Sequence, residues 1–208
     1  MPFDDTTRRN IAERCAAFAR LPAGEPAPEL KRAAVAIALV EAGGASSGTA
    51  LLLTLRAAGL RAHRSQWALP GGRCDEGETP VTAALRELHE ELGLDLKPDD
   101  VLGLLDDYPT RSGYLITPVV VWAATSAAIA PNPEEVASVH RIALGDIEQA
   151  DAFDFVAIAE STRRVIRFRH AGQFIHAPTA ALIYQFSEVL GGRDTRVADL
   201  EQPVFAWK

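Results

Sequence analysis

The amino-acid sequence predicts an α/β domain, and three observations carry that expectation. Residues 33–40 and 50–55 are apolar runs of strand length, separated by a Gly/Ser-rich turn over 43–48, which is the pattern of a β-hairpin. Residues 79–92 repeat apolar side chains at three- and four-residue steps, the period of an amphipathic helix. Residues 179–190 read as a second, closing helix near the C-terminus. A chain of 208 residues suits one domain with a sizeable core.

The elements can be justified in order. Residues 6–21 read as an amphipathic helix with Ile11, Cys15 and Phe18 on one side,. A Pro/Ala/Gly connector follows over 22–28. The hairpin comes next, then the helix over 79–92. Its start is marked by Thr79 as N-cap and Pro80 at the first helical position, its end by Gly93,. Residues 101–108 and 115–123 read as a strand pair around Arg111-Ser112-Gly113, 136–142 as a further strand, 144–151 as a short helix and 164–169 as a strand. No internal repeat is present. The expected division is an N-terminal helix and connector over 1–28, a main domain over 29–192 and a tail over 193–208.

Composition narrows the class. Hydrophobic residues make up 48% and charged residues 24% of the chain, ordinary values for a globular protein. A net charge of −7 argues against a general nucleic-acid binder, which needs basic surface for phosphates. No apolar run approaches the roughly 20 residues of a membrane span, and no signal peptide is visible. Cys15 and Cys74 are the only cysteines, too few for a disulfide framework, so a reducing cytoplasm is expected. Cys74 has no base beside it in sequence and reads as an incidental thiol. His140, His170 and His176 lack ligand-like spacing.

The helix over 79–92 carries the chemistry. Glu87, Glu90 and Glu91 stand at i, i+3 and i+4, so they share one helix face. Val81, Ala84, Leu85, Leu88 and Leu92 form an apolar stripe beside them. Arg86 lies four residues before Glu90 and can orient it by a charge-assisted bond. Such an acidic face has two readings: a solvated face held by i,i+4 pairs, or a seat for a hard divalent cation.

The surrounding segment separates these readings. Gly72, Glu78, Arg86, Glu87, Leu88, Glu90, Glu91, Gly93 and Leu94 fill every constrained place of a pattern that resembles the Nudix box. The resemblance implies a Nudix-type α/β/α sandwich with a mixed β-sheet. It also implies a hydrolase that cleaves nucleoside diphosphates linked to another moiety, using Mg²⁺ or Mn²⁺. It assigns Glu87, Glu90 and Glu91 as metal ligands, with a backbone carbonyl of Gly71 or Gly72 completing the site. One of the three glutamates, or a later one, would accept the proton of the attacking water; Glu134 and Glu135 are the candidates for the later position, and Glu135 is the one taken as catalytic beside Arg86. Glu78 is expected to support the loop.

A second motif precedes the box. Residues 52–72, LLTLRAAGLRAHRSQWALPGG, resemble the signature of the coenzyme A pyrophosphatase branch, with departures at Ser65 (usually glycine) and Leu69 (usually phenylalanine). Residues 174–180, FIHAPTA, resemble a further signature of the branch, with His176 in place of tryptophan and Ala177 in place of glycine. The implied reaction cleaves coenzyme A or acyl-CoA to 3′,5′-ADP and 4′-phosphopantetheine or its acyl form. Arg56, Arg61, His63, Arg64 and Arg111 are the candidate phosphate ligands, since guanidinium groups bind phosphate in a bidentate way. For Arg61 and Arg64 surface pairing is an equal alternative. The departures keep other Nudix substrates open, among them ADP-ribose, a dinucleotide or a nucleoside triphosphate. A non-catalytic binding module would be expected to lose box carboxylates, and this chain keeps them. Many relatives are dimers, so a homodimer is one arrangement the resemblance admits.

Overall fold

A computed structural model describes residues 1–21, 30–43, 48–58, 66–124 and 129–204. The central sheet is built around strand β1 (Lys31–Glu41). β1 pairs antiparallel with β2 (Thr49–Arg56), Leu39 opposite Leu51, as the hairpin pattern predicts. On its other side it pairs parallel with β7 (Tyr114–Trp122), from Lys31 opposite Tyr114 to Leu39 opposite Trp122. The sheet is therefore mixed. β3 (Trp67–Ala68) and β8 (Val136–Ala143) join β2, while β4 (Gly71–Arg73) joins β1. β5 (Val101–Leu104) and β6 (Tyr108–Pro109) join β7. A second, antiparallel sheet holds β9 (Phe153–Ile158), β10 (Ser161–His170) and β11 (Gln173–His176).

The pleat of β1 separates two cores, because successive side chains leave opposite faces. Ala34, Ala36, Ala38 and Val40 pack with Ala83, Ala84, Leu88 and Leu92 of helix α2 (Pro80–Leu92). Ile37 and Leu39 face the other way. They join Ile11 and Cys15 of α1 (Asp5–Ala17) and Leu182, Ile183 and Phe186 of α4 (Thr179–Leu190). Helices thus cover both faces, the expected α/β/α sandwich. Each fully buried leucine of α2 contributes roughly 1.5–3 kcal/mol from burial.

The structure refines several sequence expectations. The first helix stops at Ala17 rather than continuing to residue 21. Beyond it the chain is drawn off: Arg20 Nε donates to the Leu105 carbonyl and the Leu21 amide to Asp106. The single strand expected over 101–108 is two, β5 and β6, interrupted by Asp106 and Asp107. Their carboxylates take Arg196 and Gln185 (Asp106), and Arg20 and Thr117 (Asp107). The short helix after β8, α3, spans Leu144–Ile147 only. Strands β9 and β11 were not anticipated. The expected tail is instead seated on the fold as far as residue 204. Val197 is fully buried, the Tyr108 hydroxyl donates to the Leu200 carbonyl, Gln185 Nε2 donates to the Thr195 carbonyl, and Arg196 pairs with Asp106. The connector expected over 22–28 lies outside the described residues. Among the described residues no helix is long and apolar enough to cross a membrane.

Candidate active site

Helix α2 begins and ends as its sequence predicts. The Thr79 side chain accepts the Thr82 amide, Pro80 is the first helical residue, and Gly93 closes the helix in the left-handed conformation at φ 68°. These caps satisfy backbone groups that would otherwise be orphaned. The apolar stripe packed on β1 sets the rotation of the helix, so that Glu87 and Glu91 meet Gly72 and Gly71 of β4 while Glu90 faces solvent beside Arg86.

The three carboxylates occupy different depths. Glu91 is 2% exposed, Glu87 14% and Glu90 50%. Glu91 reaches the junction of β2 and β4, where its Oε2 accepts the Gly71 amide at 3.3 Å and its Oε1 lies 3.3 Å from Arg56 Nη1. Glu87 lies against Gly72, where a Cβ would collide with its carboxylate. At Gly71 (φ 150°) a Cβ would run into the Ala34 carbonyl and Val35. Glycine is what allows the backbone to approach this closely.

Arg86 joins the box together. Its Nε and Nη2 meet the two oxygens of Glu78 at 3.0 and 3.1 Å. Its Nη1 donates to Glu87 and to Glu90, both at 2.9 Å, and its Nη2 also donates to the Arg73 carbonyl. Glu78 accepts the Asp75 amide as well, so it ties the loop as expected. The contact to Glu90 was legible from the four-residue spacing; the fork onto Glu78 and the bond to Glu87 were not.

Glu135 is brought to the same place by its backbone. The Asn132 amide donates to the Glu91 carbonyl and the Ala57 amide to the Glu135 carbonyl, so this loop is pinned between the end of α2 and the end of β2. The Asn132 side chain accepts the Glu134 amide and shapes the turn. Asn132 was not singled out from sequence, although an Asn before proline is a turn signal.

Charge crowding and burial set the protonation behaviour. Burial pushes the Glu91 carboxyl up to about 7; Arg56 opposes that, while Glu87 and Glu135 add to it. Burial also raises Glu87, again opposed by Arg86. The bond to Arg86 holds Glu78 below the ordinary carboxylate range. Burial raises the Cys74 thiol, which favours the neutral, unreactive form.

The remaining candidates are dispersed. Arg111, at the β6–β7 turn, is clasped by Glu201: its Nε meets one carboxylate oxygen at 3.0 Å and its Nη2 the other. Arg111 is thereby held by the C-terminal segment rather than by the acidic cluster. Arg61, His63, Arg64 and Ser65 lie outside the described residues. Leu69 is buried in the core shared with α1 and α4, and His176 stands in β11 opposite Arg167. The sequence also gave no sign of a ring cluster in which Trp67 meets His140 and His170 edge-on, with centroids at 4.6 and 5.5 Å.

The NUDIX domain pattern matches residues 30–162. The chain belongs to the Nudix family. It is 31% identical over 175 residues to an uncharacterized Nudix hydrolase, NudL, of Pectobacterium atrosepticum, covering 83% of this chain and 89% of that one. It is 32% identical over 141 residues to NudL of Photorhabdus laumondii, covering 66% and 75% of the two chains. The protein DR0079 of Deinococcus radiodurans shares the fold at a TM-score of 0.50 and 17% identity, over 79% of this chain and 89% of that one. The chain is thus a Nudix hydrolase, an enzyme acting on pyrophosphate bonds, and Nudix hydrolases generally use divalent metal ions.

The donor set fits such an ion in chemistry: three carboxylates and a glycine-lined backbone supply the oxygens a hard cation prefers. Among the described residues the carboxylates do not converge as a ready ligand set. Glu91 is turned to Arg56, and Glu87 and Glu90 to Arg86.

Proposed function

We propose that this Nudix hydrolase cleaves the diphosphate of coenzyme A or acyl-CoA, releasing 3′,5′-ADP and 4′-phosphopantetheine or its acyl form, with Mg²⁺ or Mn²⁺ as the ion. The observation that carries this reading is the position of Arg56. The arginine of the LLTLR segment stands 3.3 Å from the buried Glu91, so the coenzyme A-like motif and the Nudix box meet at one place.

In this reading Glu87, Glu90 and Glu91 hold the ion, with the carbonyl of Gly71 or Gly72. The ion would neutralise charge on the diphosphate oxygens and lower the pKa of a water. Arg86 orients Glu87 and Glu90. Glu135, or one of the three box glutamates, takes the proton of the attacking water at its carboxylate. Arg56 and the basic run Arg61, His63 and Arg64 meet the diphosphate and the 3′-phosphate. The departures at Ser65, Leu69 and His176 keep the alternative of another nucleoside diphosphate substrate, such as ADP-ribose, a dinucleotide or a nucleoside triphosphate; Leu69 is a core residue and His176 belongs to the second sheet.

The test is hydrolysis of a substrate panel with each of the two ions. The panel contains coenzyme A, acetyl-CoA, ADP-ribose, NADH, diadenosine polyphosphates and nucleoside triphosphates. Coenzyme A or its acetyl form should give the highest kcat/KM, with 3′,5′-ADP as product. A higher kcat/KM for ADP-ribose or a dinucleotide would overturn the substrate and leave the pyrophosphatase chemistry in place.

A further inference from the structure

We propose that Arg56 is a latch on Glu91: its guanidinium occupies the carboxylate that a divalent cation would take, so arginine and ion exclude one another there. The inference rests on the reading of Glu91 as a metal ligand. Glu91 is 2% exposed, so water cannot compensate its charge. Both of its oxygens are engaged, one by Arg56 Nη1 and one by the Gly71 amide, each at 3.3 Å. Each oxygen keeps a second lone pair, but an ion there would stand against the positive end of one of these two donors, the Arg56 guanidinium or the Gly71 N–H. The Gly71 amide belongs to a backbone locked against β1, with Gly71 opposite Val35. The side chain of Arg56 is the partner that can move.

The arginine is itself incompletely satisfied. Its Nε is buried and has no hydrogen-bond partner among the described residues, and a buried donor left unmade is costly. A dication beside Glu91 would add repulsion to that deficit, since like charges interact strongly where water is excluded. Ion binding therefore drives the guanidinium off, with its donors directed to a new acceptor. An anionic diphosphate supplies one. By linkage the effect is reciprocal: an anion that draws Arg56 away from Glu91 tightens the ion. Arg56 in this role is a positioning residue that couples ion loading to substrate binding.

The test uses Mn²⁺ alone, titrated into the full chain and followed by calorimetry and by the loss of the free-ion electron paramagnetic resonance signal. R56M should bind Mn²⁺ on the order of tenfold more tightly than wild type, and R56K, which keeps the charge but not the fork, should gain less. R73M is the control for a general charge effect, because Arg73 is exposed on β4. Its gain should be small. If R56M and wild type bind Mn²⁺ equally, or if R73M gains as much as R56M, the latch fails while the metal site stands. If neither wild type nor R56M takes up Mn²⁺, the metal-site reading fails and the latch with it.

Discussion

At the scale of single residues, the acidic face is a set of unequal groups. Glu90 faces solvent and bonds Arg86, whereas Glu91 is buried and its carboxyl is raised from 4.5 to about 7. A carboxyl whose folded pKa lies above its unfolded one binds protons more readily in the native state. Its favourable contribution is therefore full below about 4.5 and is lost as pH rises toward 7. With divalent ions chelated, the difference in Tm between E91Q and wild type (variant minus wild type) should grow from about pH 5 to about pH 8. Thermal unfolding in a chelator measures it; a difference that stays flat or shrinks would show that Glu91 does not titrate in this window. Arg56 and Glu91 are separated by 35 positions. Each was identifiable as a candidate from its own motif, but their contact depends on β2, β4 and α2 meeting.

At the scale of the element, α2 shows why the box was readable. Its face, its apolar stripe and its caps are all local features, set by spacings of three and four residues. The Thr79 cap can be tested apart from the chemistry. T79A should lower stability by about 1 kcal/mol, seen as a lower urea midpoint at an unchanged m value. An unchanged midpoint would mean that the Thr79 bond to the Thr82 amide adds nothing to water's own capping. Strands β9 and β11 were not legible. β11 has four residues, Gln173 to His176, with only Ile175 of its side chains buried, so it offers no alternation. β5 and β6 were merged because Leu105 continues the apolar run, while the bonds of Asp106 and Asp107 that break the strand go to distant partners such as Gln185 and Arg196, 79 and 90 positions away.

At the scale of the whole molecule, the C-terminal segment fastens the second sheet to the first. Glu201 bonds Arg111 of the β6–β7 turn and Ser161 of β10, and its own amide donates to the Arg164 carbonyl. The bond to Arg111, with help from Ser161 and the Gln202 amide, draws the Glu201 carboxyl down from 4.5 to about 2. A lowered carboxyl contributes stability above its unfolded pKa and loses it as pH falls toward the folded one. Wild type should therefore lose more stability than E201Q between about pH 5 and about pH 2.5. Parallel acid unfolding of the two proteins measures this; equal losses in the two would show that the clasp does not hold in solution. This segment read as a tail because its anchors are single residues with no period, and because the partner of Glu201, Arg111, lies 90 positions earlier.

The row of alanines on β1 acts as a shim. Ala34, Ala36 and Ala38 present one methyl each to α2, so the helix rests almost on the strand backbone, and Glu87 and Glu91 can touch the two glycines of β4. A valine at Ala36 would leave sequence pattern, caps and charges as they are, yet would wedge the helix upward. The carboxylates would then stand away from Gly71 and Gly72, and the reach of the site would change through a residue that touches none of its chemistry.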